Sequence, residues 1–81
     1  MSHTEILAHI QRILADLAKA KGVRIGTVGE STTLLGGDLP IDSLDLAALV
    51  VELEEITGCD PFQAGFPDFR TAGELSRLYA Q

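Results

Sequence analysis

The spacing of apolar residues near the start of the chain sets the fold class. Ile6, Leu7, Ile10, Ile13, Leu14, Leu17 and Ala18 fall at intervals of three and four. That period puts them on one side of a helix and leaves His9, Gln11, Arg12, Asp16 and Lys19 mainly on the other. Ser2 or Thr4 can cap the helix and Gly22 can end it, so the spacing predicts a helix over residues 4–21 with one buried stripe. A helix of this kind has to bury its stripe against other elements. At 81 residues, the chain has room for one small domain in which to do so.

The next segment, residues 22–41, changes character. It holds Gly22, Gly26, Gly29, Gly36, Gly37 and Pro40, with threonines and a serine between them. The run "VRIGTV" is broken by its glycine and has no partner strand in view. A long ordered loop is expected, pinned by Val23, Ile25, Val28, Leu34, Leu35, Leu39 and Ile41. Gly36-Gly37 is no phosphate cradle, because no strand precedes it and no Lys-Ser/Thr pair follows.

A second helix is predicted over residues 43–58. Leu44, Ala47, Ala48, Val50, Val51 and Leu53 are expected on its inner side, and Asp45, Glu52, Glu54 and Glu55 on much of its outer side. Gly58 is its stop. Asp60-Pro61 then signals a short helical turn over residues 61–65, with Phe62, Phe66 and Phe69 plugging the core. Thr71 and Glu74 form a capping-box pattern that opens a last helix, whose apolar side is Leu75, Leu78 and Tyr79. Gly73 weakens that helix slightly relative to alanine. The expected architecture is all-α: a small antiparallel bundle of three longer helices and one short one, forming a single domain over residues 1–81.

Charge and cysteine narrow the function classes. Twelve acidic residues against six basic ones give a net charge of −6. Nucleic acid, whose phosphates would be repelled, is an unfavourable partner, and proteins with basic patches are favourable ones. Cys59 is the only cysteine, so no intramolecular disulfide forms, which fits a reducing, cytoplasmic setting. Cys59 reads as a small hydrophobe at a helix end. The N-terminal segment is interrupted by charges throughout and is neither a signal peptide nor a membrane anchor. His3 and His9 stand apart from any cysteine or carboxylate at ligand spacing, so no metal site and no Ser/His/Asp set is legible.

One serine stands out. Asp42 and Asp45 form a D-x-x-D capping pattern with Asp42 as N-cap. Ser43 then occupies the first helical position, and its hydroxyl is left over from capping. Taken alone, Ser-Leu-Asp at a helix start is ordinary local structure. Its setting, after a glycine-rich loop and before an acidic helix, in a chain with no catalytic cluster, suggests a substrate of enzymes and not an enzyme.

The sequence "DSLDLAALVVELEE" resembles the Asp-Ser-Leu signature and following helix of the acyl carrier and peptidyl carrier protein family. "GCDPF", "FPDF" and "RTAGELSRLY" extend the resemblance over essentially the whole chain. It implies a four-helix bundle with a short third helix. It implies attachment of 4′-phosphopantetheine, taken from coenzyme A, to Ser43 by a phosphopantetheinyl transferase, with Asp42 and Leu44 as the flanking motif. The arm's thiol would carry an acyl or aminoacyl group as a thioester. Asp45, Leu46, Glu52, Glu54 and Glu55 would meet partner enzymes, among them an adenylating ligase or acyltransferase and a downstream acceptor. Fatty-acid carriers typically have a glutamate five residues after the modified serine, where this chain has Ala48. Glu54 and Glu55 match the family's later acidic pair, and Glu52 replaces what is often a small residue. A freestanding monomeric carrier for aminoacyl, nonribosomal peptide or polyketide-type metabolism is therefore expected over one for bulk fatty acid synthesis. Ala47, Val50, Val51, Ile56, Phe62 and Phe66 are expected in the interior, as plain core. An acidic helical interaction module without a covalent arm fits the same charge pattern, whereas a hydrolase using Ser43 or Cys59 lacks a base.

Overall fold

The computed structural model describes residues 2–34, 41–61 and 69–80. Among them are three helices and no strand: α1 (His3–Lys21), α2 (Ser43–Thr57) and α3 (Ala72–Tyr79). The fold class is all-α, as the apolar spacing predicts. The short turn expected over residues 61–65 lies, Pro61 apart, outside the described residues. So do Phe62, Phe66, Leu35, Leu39 and the Gly36-Gly37 pair.

α1 is bounded as local chemistry dictates. Ser2, not Thr4, is the N-cap: its hydroxyl accepts from the Glu5 N–H at 3.3 Å, and the Glu5 carboxylate accepts from the Ser2 N–H at 3.2 Å. Gly22 ends the helix with φ of 73°, a left-handed conformation that a side chain would strain. The stripe Ile6, Ile10, Ile13, Leu14 and Ala18 is buried, and each large apolar side chain removed from water there stabilises the fold by about 1.5–3 kcal/mol.

α2 runs antiparallel to α1. Lys21 at the end of α1 meets Asp45 near the start of α2, and Arg12 lies 3.9 Å from Glu52 further along. The expected inner face of α2 is corrected by the structure. Leu46, Leu49 and Leu53 are buried, with Val50 and Ile56 partly so, while Leu44, Ala47, Ala48 and Val51 face outward. Asp45, expected outside, is buried as well. The physical reason is that α2 is apolar on two sides, so period alone does not say which side is inside.

The loop after α1 is pinned by Val28 and Leu34, both buried, and half-pinned by Ile25 and Ile41; Val23 is exposed. The Gln11 side-chain amide donates to the Val28 carbonyl. Residues 30–34 are tied to the entry of α3 by backbone hydrogen bonds from Leu34 N–H to Arg70 O (2.8 Å), Ala72 N–H to Thr32 O (2.9 Å) and Gly73 N–H to Glu30 O (2.9 Å), about an isolated antiparallel bridge between Thr33 and Thr71. Gly73 is buried at this seam, and a Cβ built there would stand 2.7 Å from the Glu30 carbonyl oxygen. The glycine that weakens α3 as an isolated helix is therefore what lets α3 dock on the loop.

Thr71 caps α3, its hydroxyl accepting from the Glu74 N–H at 3.1 Å. The Glu74 carboxylate returns to the Thr71 hydroxyl at 3.2 Å instead of to the backbone. Leu75 and Tyr79 join the core, with Leu78 and Phe69 partly buried against it.

Candidate functional site: the start of the second helix

The capping residues build the entry of α2. Asp42 is extended, with φ −118° and ψ −174°, and its carboxylate accepts from the Asp45 N–H at 3.0 Å. Asp45 reciprocates: its Oδ2 accepts from the Asp42 N–H at 3.1 Å. The first helical hydrogen bond, from Leu46 N–H to Asp42 O, follows at 3.0 Å. Of the four N–H groups that a helix start leaves without carbonyl partners, two are thus satisfied, and those of Ser43 and Leu44 have no partner among the described residues. Both residues are exposed, Leu44 to 79%.

The Ser43 hydroxyl is accessible, takes no part in the cap, and sits at the positive end of the helix. An anionic group esterified there meets unpaired N–H donors and a favourable dipole. The exposed position also admits a long substituent without repacking the core. These residues fit a phosphodiester-linked arm.

The same Asp45 Oδ2 accepts from Lys21 Nζ. Asp45 is only 9% exposed. Its carboxyl is held below the usual aspartate range, first by the Lys21 hydrogen bond and then by the Asp42 N–H. Lys21 is correspondingly raised, chiefly by Asp45. Sequence reasoning missed Lys21. Its only local signal is a cation in the last turn of α1, and its partner stands 24 positions away.

The residues expected to meet partners scatter. Asp45 and Leu46 are buried. Glu52 is half-buried near Arg12. Glu54 is half-buried beside Asp60, and its carboxyl is pushed up by burial and by that neighbour. Glu55 alone of the five is exposed. What α2 presents instead is an apolar stripe descending from Ser43: Leu44, Ala47, Ala48 and Val51, the last 54% exposed, ending at Glu55. These positions follow the same three-and-four spacing as the buried stripe.

Midway along α2, the Tyr79 hydroxyl reaches the Val50 carbonyl at 3.5 Å, and burial followed by the nearby Glu54 and Asp60 pushes that phenol well above its ordinary value. Cys59 is half-buried at the helix end, its N–H donating to the Thr57 hydroxyl at 3.1 Å. Among the described residues, no three His, Cys, Asp or Glu side chains group as metal ligands, and no helix is long and apolar enough to cross a membrane.

Comparisons with protein-family models, with curated proteins and with solved structures each return no significant match.

Proposed function

We propose that the protein is a carrier modified at Ser43, holding an acyl or aminoacyl group as a thioester on a 4′-phosphopantetheine arm and presenting it to partner enzymes. One observation carries this: Ser43 lies exposed at the first position of α2 while Asp42 and Asp45 do the capping, so its hydroxyl is free for attachment. The family resemblance of the surrounding sequence supplies the identity of the arm, and the four-helix arrangement with a short helix near residues 61–65 belongs to the same proposal.

Each residue of the site has a task. Asp42 starts the helix. Ser43 provides the oxygen that attacks the phosphorus of coenzyme A on the pantetheine side of the pyrophosphate; the bond from that phosphorus to the bridging oxygen breaks, adenosine 3′,5′-bisphosphate leaves, and the serine proton passes to a base on the transferase. The unpaired N–H groups of Ser43 and Leu44 face the resulting phosphodiester. The arm, once bound, supplies a thiol for thioester chemistry. The chain needs no base of its own, because the transferase brings one.

Partner enzymes in this proposal read the stripe Leu44, Ala47, Ala48 and Val51 with Glu55 at its edge, and the chain's net charge of −6 steers enzymes with basic surroundings toward it. They comprise a phosphopantetheinyl transferase, an adenylating ligase or acyltransferase, and an acceptor enzyme, in the cytoplasm. Ala48, where a fatty-acid carrier typically has glutamate, favours aminoacyl, nonribosomal peptide or polyketide-type cargo over bulk fatty acid synthesis.

Incubation with coenzyme A and a broad-specificity phosphopantetheinyl transferase, followed by intact mass measurement, tests this. The wild type gains one arm and Ser43→Ala gains none. No gain in the wild type, or a gain that survives Ser43→Ala, overturns it. The exposed apolar stripe also suits an interaction module without an arm; in that case Ser43→Ala leaves function intact while Val51→Glu abolishes partner binding.

A further inference from the structure

The entry of α2 is not built from α2 alone. Asp45 spends one carboxylate oxygen on two donors, the Asp42 N–H of its own cap and the Nζ of Lys21 from the end of α1. Asp45 is buried, its side chain 11% exposed, while Ser43, two residues earlier, is exposed. An ionised carboxylate at that depth needs a partner, and Lys21 is the cation that reaches it. The lysine also sits in the last turn of α1, where a cation complements the helix dipole, just as Asp45 complements the dipole at the start of α2.

We propose that Lys21 is a positioning residue of the Ser43 site: it clamps Asp45, and through Asp45 the Asp42 cap, so that Ser43 is presented in one geometry and the negative charge beside its hydroxyl is offset. The second half rests on the carrier assignment above. Asp42 and Asp45 together place two carboxylates next to a hydroxyl that is to receive a phosphodiester. Without Lys21 both would oppose the incoming phosphate. With Lys21 seated on Asp45, one of them is neutralised by an ion pair. The nearby Lys19, also in the last turn of α1 and exposed, forms no ion pair with Asp45 among the described residues and serves as a control for general charge.

Two measurements test this on the full chain. In the unmodified protein, NMR follows amide exchange at Asp42 and carboxyl titration at Asp45. Lys21→Met is expected to speed Asp42 exchange roughly two- to fivefold and to move the Asp45 titration up toward the ordinary aspartate value, with Lys21→Arg restoring both and Lys19→Met changing neither. In the transferase assay, kcat/KM for arm attachment is expected to fall by roughly the same two- to fivefold in Lys21→Met, and to recover in Lys21→Arg. An unchanged cap in Lys21→Met overturns the clamp. A loosened cap with an unchanged attachment rate, or a slowed attachment that Lys21→Arg does not restore, overturns its role in presenting Ser43. A wild type that gains no arm refutes the carrier assignment instead, and the NMR comparison still decides whether Lys21 holds the cap.

Discussion

α1 and α2 are both capped, amphipathic-looking helices, yet they differ in how many sides they can bury. α1 has one apolar stripe, and it is inside. α2 has two: Leu46, Leu49 and Leu53 go to the core, while Leu44, Ala47, Ala48 and Val51 stay outside. A helix that serves only a fold needs one buried stripe. The second on α2 begins next to Ser43, so the side chains that would meet a partner enzyme and the hydroxyl that would carry cargo share one face of one helix.

The sharpest way to break this comparison is truncation on each stripe. Leu14→Ala in α1 and Leu49→Ala in α2, both fully buried, should each cost about 2–5 kcal/mol of unfolding free energy by denaturant titration. Leu44→Ala and Val51→Ala should stay within about 0.5 kcal/mol. A large loss at Val51 would mean that the outer stripe is structural after all.

α3 extends the comparison, because it docks through backbone where the others dock through side chains. Gly73→Ala places a methyl 2.7 Å from the Glu30 carbonyl oxygen. It should destabilise by about 1–3 kcal/mol, against the small gain that alanine gives a helix in isolation. Gly26→Ala, whose Cβ would meet nothing within 4 Å, is the matched control and should show no such loss.

The smallest expected effect separates the two ends of α2 by pH. Asp45 is depressed in the folded state, first by Lys21. Its contribution is therefore fully present above the ordinary aspartate value of about 3.9 and is lost as pH falls through the lower folded value. Glu54 is raised by burial, so its ionisation opposes folding, and stability is regained as pH falls through its raised value. Denaturation midpoints between about pH 2 and pH 5 should consequently fall less steeply in Asp45→Asn than in wild type, and more steeply in Glu54→Gln. Lys21, raised by the same pair, keeps its contribution below the ordinary lysine value of about 10.4 and loses it only as pH climbs through the folded value. If Asp45→Asn leaves the acid limb unchanged, the buried pair at the head of α2 is no stronger than a surface contact.

Much of this was legible locally. Ser2 with Glu5 and Asp42 with Asp45 are contacts three residues apart, and Gly22 and Gly58 close their helices with φ of 73° and 71°. Such devices act within one turn, so spacing reveals them. The single stripe of α1 is legible for the same reason. The inner face of α2 was not: Leu44 and Val51 carry the same hydropathy as Leu46 and Leu53, and only the position of α1 and α3 distinguishes them. The acidic face expected at Asp45, Glu52 and Glu54 dissolved because two of those carboxylates approach cations of α1, Lys21 and Arg12, and the third is half-buried beside Asp60.

From the chain alone, then, came the helical class, the caps and the exposed hydroxyl of Ser43, since each depends on residues within a few positions of one another. The tertiary structure decided which stripe of α2 faces the core, which lysine holds Asp45, and why Gly73 has no side chain. Each of those depends on surfaces brought together by residues far apart in sequence, and burial is settled only when the partner surface is in place.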